Sequence, residues 1–353
     1  MTTKPASNRK RYLTLALRVL GTCLLVGLVL HTVPLGDTWT ALRGLAPGWV
    51  AWALAAELAA RVVSILRWHL LLAPAGVRVP FTTTLRLGFI ALFYNNFMPS
   101  TLGGDVAKSV LAIRGGQSSP AAIVASVLVD RAVVGWGSLV AFGVVIGIVV
   151  DFPPFRYTML VVLGGGLIAA VITALLARRQ VSDAGQPPAG LVARLVRKVV
   201  DKLTEVSSAL VQYRHHRGTV FAAWLVSCVG ITLTGLAVQC WCTALGYPLP
   251  LLRMVAVAVI LKIAGIVPVS IGNVGWTEGA TLLLLRWAGM PQPVGLAVGV
   301  LQRVAGMTIS LTGAVLQLGT PTDTARRPDD AETPGNGPAV TPEEAASPAE
   351  PPR

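Results

Sequence analysis

Long apolar runs fill most of this chain, and nothing else in the sequence limits its fold so strongly. They lie at about Leu13 to Val33, Pro47 to Leu72, Ser118 to Val150, Tyr157 to Ala177, Val220 to Gly246 and Pro293 to Leu318. Each reaches the roughly 18–20 residues that a helix needs to cross hydrocarbon. A chain that is 54% hydrophobic and 13% charged fits that reading and excludes a soluble domain. The expected fold class is all-α, a polytopic transmembrane helix bundle in one domain, and a sheet is not indicated.

Two stretches interrupt this pattern. Asn95 to Asp105 reads NNFMPSTLGGD, at the end of the apolar run Phe81 to Met98, and Pro268 to Glu278 reads PVSIGNVGWTE. Pro99 and Pro268 each remove a backbone donor, and the glycines permit positive φ, so a helix should stop at each place. Inside a bilayer, freed backbone groups are tolerated only where protein or a water-filled cavity surrounds them. The two breaks are therefore the expected working centre.

Charge placement sets the orientation. The net charge is +13, but the tail after residue 318 holds seven acids against three arginines. The first 318 residues keep 26 basic and 9 acidic residues, a net of +17. A basic membrane protein follows the positive-inside rule. Residues 1–11, with Lys4, Arg9, Lys10 and Arg11, form a basic cytoplasmic amino terminus ahead of a retained first helix. Residues 178–218 form a cytoplasmic amphipathic basic segment, with Leu191, Leu195, Val199 and Leu203 at helical spacing. Residues 319–353 read as a disordered Pro/Ala/acidic tail. Both termini are expected in the cytoplasm. No polar basic domain suggests nucleic acid, and anionic lipid headgroups are the natural partners.

Five apolar segments separate the two basic regions, an odd number of crossings, so one of them should not cross. Residues 81–116 hold the first break and end in Lys108 and Arg114, which makes them the candidate. By the same logic 251–290 re-enters from the opposite face. Two re-entrant broken hairpins of opposite sense are the pattern of an inverted repeat. Pro99 and Gly103 are four apart, as are Pro268 and Gly272, and Asp105 precedes Arg131 by 26 where Glu278 precedes Arg303 by 25. Within the second span, Glu57 and Arg61 fall on one helix face and can pair. They read either as an internal ion pair or as a wall of a polar cavity, and Arg67-Trp68 as an interfacial anchor.

NNFMPSTLGGDVAKSVLAIR followed by VDR, and VPVSIGNVGWTEG followed by QR, resemble the flippase-like transmembrane family. That membrane region precedes lysylphosphatidylglycerol synthases and also occurs alone and in proteins linked to dolichyl-phosphate sugar metabolism. The resemblance covers about residues 12–318. It implies movement of an anionic phospholipid, or a polyprenyl-phosphate type lipid-linked headgroup, across the membrane. The family's motif is carried here by Asn96, Pro99, Gly103, Gly104, Asp105, Arg131, Pro268, Gly272, Gly275, Glu278 and Arg303. Lys108 stands where an arginine is common, and Asn273 replaces a usual second glycine. No aminoacyl-transfer domain follows residue 318, so lipid aminoacylation by this chain alone is not expected.

A phosphate at membrane depth needs fixed cations and backbone donors, and helix amino ends supply the latter. The expected substrate-binding residues are the motif residues Asn96, Gly103, Gly104, Asp105, Arg131, Gly272, Gly275, Glu278 and Arg303, joined by Ser100, Lys108, Asp130 and Ser270. Pro99 and Pro268 act as structural breaks. Asp130 and Arg131 cannot face one another on a helix, so Arg131 is expected to meet Glu278, or Arg303 to meet Asp105. No metal, cofactor, nucleotide-binding loop or catalytic motif is indicated, and an enzyme is not expected. The alternatives are a membrane scaffold that recruits a cytoplasmic synthase or glycosyltransferase through its basic helix, or the membrane half of a lipid-modifying enzyme.

Overall fold

The computed structural model describes residues 36, 40, 42–97, 103–115, 119–165, 213–266 and 270–318. The basic amino terminus, the first apolar run, most of the 178–218 segment, the tail, Pro99, Ser100 and Pro268 lie outside them. Every regular element among the described residues is helical.

Helix α1 (Pro47–Leu72) begins with Pro47, whose missing N–H is no loss in a first turn. It ends in a 3-10 turn, Ala73–Ala75, closed by Gly76 at φ 79°. Helices α2 (Phe81–Phe97) and α3 (Gly103–Arg114) flank the first break. The next span is a single rod in three parts: α4 (Pro120–Leu128), a π-helical segment Val129–Gly135, and α5 (Trp136–Val149). Ser119 caps it by accepting from the Ala122 amide, 3.3 Å. After α6 (Arg217–Ala244) come α7 (Leu251–Ala264) and α8 (Trp276–Trp287), which flank the second break, and then α9 (Gln292–Leu318).

Among the described residues, four helical stretches are long and apolar enough to cross a membrane: Pro47–Ala75, Pro120–Val149, Arg217–Ala244 and Gln292–Leu318. The helices beside the breaks are shorter, at 17, 12, 14 and 12 residues. At 1.5 Å per residue, even the longest covers only about 26 Å, against a hydrocarbon core of roughly 30 Å.

The outer surface of the bundle is apolar, unlike that of a water-soluble protein. Large apolar side chains face outward, among them Ile148 at 79% exposure and Val161 at 73%, while Glu57, Asp105, Lys108, Asp130 and Glu278 are buried. Charge is costly in lipid and so turns to the bundle interior. The main apolar core joins α6, α7, α8 and α9 through Trp241, Met254, Val255, Leu285 and Val298. Small residues let backbones approach where helices cross. A Cβ on Gly104 would strike the Ala91 carbonyl of α2, and one on Gly313 the Phe89 carbonyl. Cys228, Cys240 and Cys242 are free thiols in α6.

Candidate functional site: a charged cavity

The first break organises a set of ion pairs. At its end Asn95 Oδ1 accepts from the Gly104 amide at 2.9 Å, which caps the amino end of α3. Within the first turn of that helix, Asp105 meets two cations. Lys108 Nζ lies 3.1 Å from Oδ1, and Arg131 Nε, from the π-helical segment, lies 2.6 Å from Oδ2. The Arg131 approach is a close ion pair whose N–H is not aimed at that oxygen. Lys108 also sits 4.4 Å from the Trp68 ring centroid, a cation–π contact. Trp68 is itself buried and donates to Ser126 Oγ at 3.2 Å.

Arg67 is no interfacial anchor. It makes a two-pronged pair with Asp130, Nε to Oδ1 at 2.7 Å and Nη2 to Oδ2 at 3.0 Å, and its Nη1 donates to Ser227 of α6 at 3.0 Å. The bidentate fork is the strong form of this contact. Glu57 and Arg61 pair at 3.2 Å along α1. These groups surround a cavity of about 340 Å³ between α1, α2, α3, the π-helical segment, α5, α6 and α7. Its charged walls are Arg61, Arg67, Lys108, Arg131 and Lys262 against Glu57, Asp105 and Asp130. The Arg131 side chain is 47% exposed and that of Arg61 41%, and both line this space.

The second break is built differently. Gly272, Asn273 and Gly275 have φ of 58°, 57° and 79°. Asn is the non-glycine residue that best tolerates the left-handed region, so the missing second glycine does not spoil the bend. The Asn273 amide further donates to the Gly265 carbonyl at 2.7 Å. Glu278 Oε2 accepts from the Gly275 amide at 2.8 Å, capping α8, and Oε1 takes Arg303 Nε at 2.5 Å. Arg303 also donates to the Gly272 and Asn273 carbonyls, both at 2.9 Å, and to Thr277 Oγ1 at 2.6 Å. Four of its five N–H groups are thereby used, and its side chain is only 17% exposed.

The acid–base partners thus differ from the cross-break pairing expected from sequence. Asp105 takes Arg131 and Glu278 takes Arg303, each within its own half. Asp105, Lys108, Asp130 and Arg131 come together at the cavity. Gly103 and Gly104 are buried at the start of α3, and Asn96 donates to the Gly306 carbonyl at 3.5 Å. Gly272, Gly275, Glu278 and Arg303 form the second-break lock, outside the cavity's lining; Ser270 also lies outside that lining and is buried. Sequence reasoning read Arg67 as an interfacial anchor and left Asn95, Ser227 and Lys262 out of the site, although for Arg67 and Lys262 an ionisable residue inside an apolar run is itself a signal.

A family model for the lysylphosphatidylglycerol synthase TM region matches residues 15–313. The chain belongs to this family. It is also similar to a UPF0104 membrane protein of Methanothermobacter thermautotrophicus, 25% identical over 301 residues, which covers 81% of this chain and 89% of the relative. Both breaks, both acid–arginine pairs and the cavity of this lysylphosphatidylglycerol synthase TM-region protein lie inside the matched span. The match and the spanning helices make it an integral membrane protein.

Proposed function

We propose that this protein is a lipid transporter. It moves an anionic phospholipid, or a lipid-linked headgroup of the polyprenyl-phosphate type, across the bilayer through the charged cavity. One observation carries this reading: a cation-rich space between membrane-spanning helices and the shorter helices beside the breaks, with the Arg131 side chain about half exposed where it lines that space. An acyl or prenyl chain would stay in lipid beside the bundle while the phosphate entered among Arg61, Arg131 and Lys262. The amino end of α3 adds a favourable dipole beside Asp105.

In this reading α2–α3 and α7–α8 are re-entrant hairpins that enter from opposite faces and are related as an inverted repeat. The shortness of their helices supports it. So does the shared placement of the acids, each in the first turn of the second half-helix with its arginine on the rod that follows. Both termini lie in the cytoplasm. No metal, cofactor or catalytic step is needed.

The test is translocation in proteoliposomes of fluorescent phosphatidylglycerol and of a fluorescent polyprenyl phosphate, read as quenching by a membrane-impermeant reductant. The reading expects protein-dependent exposure of inner-leaflet probe for at least one of them. Quenching that stops at the outer leaflet for both lipids, with folded protein and an imposed proton gradient, would overturn it.

A further inference from the structure

The charges around the cavity do not cancel. Asp130 is occupied on both oxygens by Arg67, and Glu57 is paired with Arg61. Asp105 alone faces both Lys108 and Arg131, so that trio keeps one positive charge. Lys262, on the last turn of α7, has no hydrogen bond or ion pair among the described residues, yet it opens onto the cavity. Its charged neighbours are Arg61, Arg67 and Glu57, two cations and one acid, so its own charge is left over as well. The described walls therefore hold five cations against three carboxylates, a surplus of two.

Lys262 is exposed and the Arg131 side chain is 47% exposed, so both can be reached through the cavity. Two like charges facing one space attract the anion that brings the most negative charge. The size of the surplus therefore selects the anion. A phosphodiester headgroup brings a single negative charge, and would leave one cation uncompensated. A terminal phosphomonoester brings about 1.5 to 2 at neutral pH, and a diphosphate brings at least as much. The donors suit such a group: Arg131 has most of its fork free for two oxygens, and Lys262 is a compact point charge that can turn toward a third.

We propose, building on the transport reading above, that the cavity is a binding site for a doubly charged terminal phosphate, monoester or diphosphate, in preference to a phosphodiester. Lys262 is the residue that sets the preference. The phosphate chemistry is the same whether it is borne by a lipid or arrives as a soluble ion, and the experiment separates the two.

Purified full-length protein in detergent is offered dioleoyl phosphatidic acid and dioleoyl phosphatidylglycerol, which share their chains and differ in phosphate charge. Retention of each lipid is measured by native mass spectrometry, in competition and singly, with inorganic pyrophosphate as the soluble arm. The monoester should bind roughly tenfold tighter than the diester. Lys262→Gln should bring that ratio to about one, and Lys262→Arg, which keeps the charge, should restore it. Equal binding of the two lipids by the unaltered chain would overturn the proposal. So would an undiminished preference in Lys262→Gln protein whose melting temperature matches the unaltered chain. Displacement of lipid by an equal concentration of pyrophosphate would uphold the phosphate site and sink the lipid reading. A tenfold preference in a protein that moves no lipid would do the same.

Discussion

At the scale of residues, two arginines, each paired with an acid 26 or 25 residues before it, are held differently. Arg303 is saturated, with Glu278, two backbone carbonyls and Thr277 taking four N–H groups. Arg131 has one ion pair and a half-open side chain. Removing one partner of a buried, hydrogen-bonded pair costs roughly 3–5 kcal/mol, because the other charge is left uncompensated. Arg303→Gln is therefore expected to lower the melting temperature in detergent sharply, while Arg131→Gln shifts it far less. A larger loss for Arg131→Gln would reverse the assignment of lock and ligand site. Both arginines and both acids were legible in the sequence as charges inside apolar runs. Their partners were legible too, in the near-equal separations of 26 and 25 between acid and arginine, which match the pairs that form. The cross-break pairing expected instead ignored that signal. Arg67 was obscured by the adjacent Trp68, since Arg-Trp at a helix end resembles an interfacial anchor until the fold brings Asp130 alongside.

At the scale of elements, the breaks hold because helix backbones come into direct contact around them. The Gly104 position is filled by the Ala91 carbonyl and the Asn95 amide, and the Gly313 position by the Phe89 carbonyl. These obstacles are main chain or tied to it, so they cannot swing aside as a long side chain would. Gly104→Ala and Gly313→Ala should each destabilise by about 1–3 kcal/mol, seen as reduced yield and melting temperature in detergent. Gly137→Ala, where nothing lies within 4 Å, should be neutral. A neutral Gly104→Ala would mean that α2 and α3 do not meet as described. The spanning helices were readable because length and hydropathy decide them: α1 occupies the expected Pro47–Leu72 run, and α6 and α9 begin and end within three residues of theirs. The π-helical segment was not, because a change of hydrogen-bond register leaves composition and apolar pattern untouched.

At the scale of the whole molecule, the bundle presents apolar side chains on its outer surface as well as in its core and gathers charge around a cavity. Charge bias predicts an orientation in the membrane that can be checked without a substrate. Reporter fusions at residue 116, after the first hairpin, should report the cytoplasm, and fusions at residue 248, between α6 and α7, the outer face. Finding both on one side would end the inverted-repeat reading. The cavity was the least legible feature at this scale, since it draws on helices from Glu57 to Lys262 and no local pattern announces which charged faces meet. The central claim is that a lipid phosphate crosses through that cavity. The most direct measurement compares lipid translocation per folded protein for Arg61→Gln and Arg131→Gln with Arg156→Gln, a control at the exposed Arg156–Asp151 pair. Losing one cavity cation should slow translocation at least about tenfold, and the control should run at the unaltered rate. Cavity variants that move lipid as fast as the control would contradict the account.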